Sequence, residues 1–101
     1  MILVIQEVRL GTNQPGKLIV RFRSCGALII APLIMHVYWK ERINAHNAQS
    51  KFLLVTPQHI SAKGVPKFAE LIIADQVRHR KVMLLLCKIK RPVWVRGDLR
   101  I

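Results

Sequence analysis

The chain is short of acid. Five Asp and Glu oppose seventeen Lys and Arg across 101 residues, a formal charge of +12. Such a surface repels cations, which sets aside cationic substrates. Nucleic acid, anionic membrane and acidic proteins remain as partner classes. Cysteine is scarce too: Cys25 and Cys87 form no C-x-x-C pair. Two reduced thiols are therefore expected rather than a bridge or a thiolate metal site. His36, His46, His59 and His79 are scattered, without H-x-x-x-H spacing or an adjacent carboxylate pair. That removes the common metal patterns, and neither metal nor cofactor is expected. Phosphate-loop, dinucleotide and G-x-S-x-G patterns are also missing. Long apolar runs are absent as well. The longest uncharged stretch, Ser24–Trp39, carries Gly26, Pro32 and His36 and falls short of a membrane span. Met1–Ile5 is too short for a signal-peptide core. These absences point to a cytoplasmic protein with no membrane partner.

Apolar residues make up 51% of the chain, too many for an intrinsically disordered tail. A single domain over residues 1–101 is expected, with just enough length for one core. Met1–Arg9 and Lys17–Arg23 read as strands around the turn Gly11–Gly16. Ala27–Ala31, stopped by Pro32, suits a strand buried on both faces. Met35, Trp39 and Ile43 recur every four residues, which predicts a helix from about Met35 to Ala48 with Tyr38 and Trp39 filling core. Lys51–Thr56 reads as a strand ended by Pro57, Gln58–Gly64 as a polar loop, and Val65–Ala74 as containing a strand. Val82–Ile89 fits either class, and Pro92–Val95 reads as extended. Five to seven short strands with no βαβ rhythm predict a mainly β fold: a small, strongly bent antiparallel sheet or barrel with one or two short helices.

The positive charge concentrates late in the chain. Arg78, Arg80, Lys81, Lys88, Lys90, Arg91, Arg96 and Arg100 face only Asp98 beyond residue 77. Cations that neutralise phosphates release counterions, so this cluster points to nucleic acid, with Trp94 a candidate platform for an unpaired base. Arg21 and Arg23 share a strand face and are candidate phosphate contacts. For catalysis, His59 and Ser61 in the central loop are the candidates. Metal-free RNA cleavage by 2′-OH attack needs a proton-transfer group and a cation beside the phosphorane. Arg21, Arg23, Lys63 and Arg78 are the cations within the reading.

The segment Phe52–Arg80 resembles the core of MazF/PemK-type toxins of toxin–antitoxin systems. Pro57, Lys63-Gly64-Val65-Pro66, Phe68 and Ala74-Asp75-Gln76-Val77 occupy the places of that family's C-P, K-G-Y-P-F and L-A-D-Q-V motifs. Upstream, Gly16–Val20 and Ala27–Pro32 are similar to its first two strands, so the likeness runs from Gly16 to Arg80. It implies an SH3-like barrel, a homodimer, metal-independent cleavage of single-stranded RNA and an acidic antitoxin. Two positions depart. The family's catalytic Arg falls near Gly26, and its catalytic Thr falls near His59. His59 and Arg23 are the available substitutes. The short first loop also resembles CcdB-type toxins of the same superfamily, although Arg91–Ile101 does not read as their terminal helix. The expected function is thus an RNA-binding, toxin-like protein with endoribonuclease activity. The alternative is a non-catalytic basic RNA-binding or ribosome-associated protein.

Overall fold

A computed structural model describes Ile19 and residues 25–97. Its elements alternate: β1 (Ala27–Ile30), a 3-10 turn (Leu33–Met35), α1 (His36–Ala45), β2 (Phe52–Val55), α2 (Pro57–Lys63), β3 (Leu71–Asp75), α3 (Arg80–Lys88) and β4 (Val93–Arg96). The four strands form one sheet in the order β2-β1-β3-β4. Every pairing is parallel, with Ala27 opposite both Phe52 and Leu71, and Ile72 opposite Val93.

This architecture corrects the expected antiparallel, mainly β, SH3-like barrel. The βαβ rhythm is present, and two segments hid it. Gln58–Gly64, read as a loop, is the body of α2. Thr56 caps that helix by accepting the His59 amide at 3.2 Å, and Pro57 occupies the first turn, where its missing N–H is harmless. Val82–Ile89 lies mostly within α3, whose buried residues Val82, Met83 and Leu86 follow a helical spacing. The strands read at Met1–Arg9 and Lys17–Arg23 lie outside the described residues.

Continuous burial explains the central pair. All four residues of β1 and all five of β3 are buried, the signature of strands covered by helices on both faces. Edge strands β2 and β4 are only partly covered. Strand alternation sends Leu28, Ile30, Ile72, Ala74 and Val93 to one face, where Ile60 of α2 and Val82, Met83 and Leu86 of α3 meet them. Ala27, Ile29, Leu71, Ile73 and Trp94 go to the other face, with Trp39 and Ile43 of α1 and with Ile19. Right-handed crossovers require this division. The step from β1 to β2 runs in one direction across the sheet, and the later steps run in the other.

Among the described residues, one charged side chain is fully buried. Asp75, fully buried at the end of β3, accepts from Trp39 Nε1 at 2.7 Å and from Arg96 Nε and Nη2 at 2.8 Å each. The fork geometry satisfies both carboxylate oxygens. Hydrogen bonding to Asp75 pushes the Arg96 guanidinium up, against an opposing effect of burial. Its guanidinium also lies 5.1 Å from the Tyr38 ring centroid and 5.6 Å from that of Trp39. Just beyond, Gln76 takes a left-handed φ of 52° and Gly97 a φ of 108°. A Cβ on Gly97 would come within 3.0 Å of Gln76 Cα, so this close approach needs glycine.

Arg96→Met leaves a buried carboxylate without its cation and is expected to cost about 3 kcal/mol in urea unfolding. Adding Asp75→Asn, which removes the charge and keeps an acceptor for Trp39 Nε1, should recover part of that loss. A single-variant loss below about 1 kcal/mol would show that the pair does not hold the sheet edge.

Candidate functional site

In an open parallel sheet the crevice lies outside the carboxyl ends of the strands, where successive crossovers leave in opposite directions. Here that point is between β1 and β3. The chain leaves β1 through α1 on one face, and leaves β3 through α3 on the other. A cleft of about 530 Å³ opens there. Its walls are Pro32 and Leu33 after β1, Thr56, Pro57 and Gln58 after β2, and Gln76, Arg78 and His79 after β3.

Local chemistry sets its character. Among the described residues, Arg78 is the cation of the wall and no carboxylate lines it. His79 is the N-cap of α3, but its side chain makes no capping hydrogen bond. Its Nδ1 is buried with no hydrogen-bond partner among the described residues. The imidazole of His36 closes the sheet end nearby. Its Nε2–H donates to the carbonyls of Ala31 at 2.9 Å and Val55 at 3.2 Å, tying β1 to β2.

A second feature is the outer surface of the α2–α3 layer. Lys63, Arg80, Lys81 and Lys88 are exposed there, with Arg78 at its upper rim. Neither helix carries an acid, and Gln76–Gly97 contains none. The described acids lie elsewhere: Glu41 on α1, Glu70 before β3, and Asp75 buried on the α1 face.

The sequence-derived candidates divide accordingly. Lys63, Arg78, Arg80, Lys81 and Lys88 come together on one layer, and Lys90 is exposed just beyond α3. Arg91 is structural: its Nη1 donates to the carbonyls of Pro66 at 2.7 Å and Ala69 at 2.9 Å, pinning the loop before β3. Trp94 is 3% exposed and packs in the core against α1, so its ring is not presented to a base. His59 is exposed and Ser61 half-buried on α2. Two positions apart, they diverge by about 200° around the helix axis and do not converge on one reacting atom. Burial, and secondarily the Glu70 carboxylate, push the Cys25 thiol up, away from nucleophilic thiolate character. Arg21 and Arg23 lie outside the described residues. Among the described residues no group of His, Cys, Asp and Glu could hold a metal ion, and no helix is long and apolar enough to cross a membrane.

Sequence reading missed Thr56, Gln58, Gln76 and the cleft role of His79. The available signal was positional, since each follows an apolar run and so sits at the carboxyl end of a strand.

No family model matches the chain, and no curated protein or solved structure matches it either. The toxin resemblance rested on short pieces, and the fold separates them. Lys63 ends α2, Gly64 caps it, Phe68 is a half-exposed loop residue, and Ala74-Asp75 finish β3. Parallel pairing removes the SH3-like barrel that the resemblance implied.

Arg91→Met is expected to lower stability by about 1.5–3 kcal/mol, the worth of charged hydrogen bonds to carbonyls. A loss below about 0.5 kcal/mol would show that Arg91 does not pin the loop before β3.

Proposed function

We propose that the protein is a non-catalytic nucleic-acid-binding module, with RNA the expected partner, which engages phosphates through the outer face of the α2–α3 layer. The observation that carries this reading is the uncompensated clustering of Lys63, Arg80, Lys81 and Lys88 on one helical layer, in a chain of charge +12. Counterion release makes such a layer bind polyphosphate strongly at low salt and weakly at high salt. The described acids, confined to other parts of the molecule, leave the layer's field unopposed. Neither Trp94, which is buried, nor Tyr38, whose ring Arg42 covers at 3.3 Å from its centroid, presents a stacking platform beside this layer. Recognition is therefore of the backbone rather than the sequence. The diverging His59 and Ser61 favour binding without cleavage.

Fluorescence anisotropy with a labelled single-stranded RNA tests the reading. Changing Arg80, Lys81 and Lys88 together to Gln should reduce the salt slope, log K against log salt, by about 2. Lys40→Gln, on α1 across the sheet, should leave it unchanged. An unaltered slope in the triple variant would put the binding face elsewhere. His59→Ala should bind as tightly as the parent, and the RNA should remain full-length with both. Cutting that His59→Ala abolishes would overturn the non-catalytic reading.

A further inference from the structure

We propose that the cleft at the carboxyl edge of the sheet is a second, separate binding site, for a small ligand that joins a phosphate to a planar apolar body, a nucleoside monophosphate by chemical class. Size comes first. A cavity of about 530 Å³ lies within the usual range for small-molecule sites. Position comes second, because the cleft sits where the crossover direction reverses between the parallel strands β1 and β3, the place where open α/β sheets take ligands.

The walls supply the two halves of the ligand's chemistry. On one side stand Arg78, His79 and Gln76: a guanidinium, an imidazole and a carboxamide. A guanidinium fork matches phosphate oxygens two at a time. His79 Nδ1 is itself closed to solvent, so the imidazole supplies part of the wall and the Arg78 fork is the group that meets the phosphate. Opposite lie Pro32, Leu33 and Pro57, an apolar wall suited to the face of a ring. Leu33 is 73% exposed, which leaves a large apolar side chain open to such a contact. No carboxylate among the described residues of the lining opposes the phosphate.

This site is distinct from the outer α3 surface, since Arg80, Lys81 and Lys88 are not among its walls. Arg78 alone borders both surfaces.

Amide and imidazole NMR shifts at near-physiological salt, titrated with adenosine 5′-monophosphate, adenosine and inorganic phosphate, give the test. The monophosphate should shift Gln76, Arg78 and the His79 ring nitrogens, and should bind at least about tenfold tighter than adenosine or phosphate. Arg78→Gln and, independently, Leu33→Asp should each weaken it by about tenfold. The triple Gln variant of Arg80, Lys81 and Lys88 should leave it unchanged while weakening RNA. Shifts confined to the outer face of α3, phosphate binding as well as the nucleotide, or an Arg78→Gln variant with parent affinity would each overturn the site.

Discussion

Parallel pairing of β1 with β3 constrains everything else in the molecule. A parallel pair cannot be closed by a hairpin, so each strand must be followed by a crossover long enough to return the chain to its starting edge. Helices α1, α2 and α3 serve as those crossovers, and they cover both faces of the sheet. The central strands must then be apolar on every residue that meets a helix. Ala27–Ile30 and Leu71–Ala74 comply, and Asp75 is the exception that carries a bidentate Arg96 and a Trp39 donor. Breaking that arrangement strands a charge in the core. Its persistence at the carboxyl end of β3 helps fix the turn from which Gln76, Arg78 and His79 enter the cleft.

Two surfaces follow from the same topology. Placing α2 and α3 on one face gathers the late basic residues into a layer without acids. Reversing the crossover direction between β1 and β3 opens the cleft beside that layer. The basic layer is an exposed, charged helical surface; the cleft is concave, with one cation and an apolar wall among its described residues. They suit different ligands, a polymer backbone for the first and a compact molecule for the second.

Much of the fold was legible in particular residues. Ala27–Ala31 announced burial on both faces, and that alone argues for a covered parallel strand. Met35, Trp39 and Ile43 marked the helix that became α1. The misreading came from two short elements. PQHISAK looks like a loop because Ser and His are common in turns, and its Thr56 cap with Pro57 is a helix start only once the preceding strand is placed. VMLLLCK has too few residues for its period to choose between helix and strand. Without α2 and α3, alternation disappears and a β-rich barrel is the natural inference. The basic cluster was legible from charge alone, but the buried roles of Arg91 and Trp94 were not. Those depend on the loop before β3 and on α1, both distant in sequence. The cleft was not legible, because its walls come from three chain segments that only the strand order brings together.

Inter-strand contacts in nuclear Overhauser spectra of the labelled protein test the central pairing most directly. The account predicts that β1 and β3 run together, with Ala27 beside Leu71 at one end and Ile30 beside Ala74 at the other, and with no close Hα–Hα pairs across them. A spectrum that sets Ala27 opposite Ala74, with the facing Hα–Hα contacts of an antiparallel ladder, would contradict it and remove the switch point on which the cleft depends.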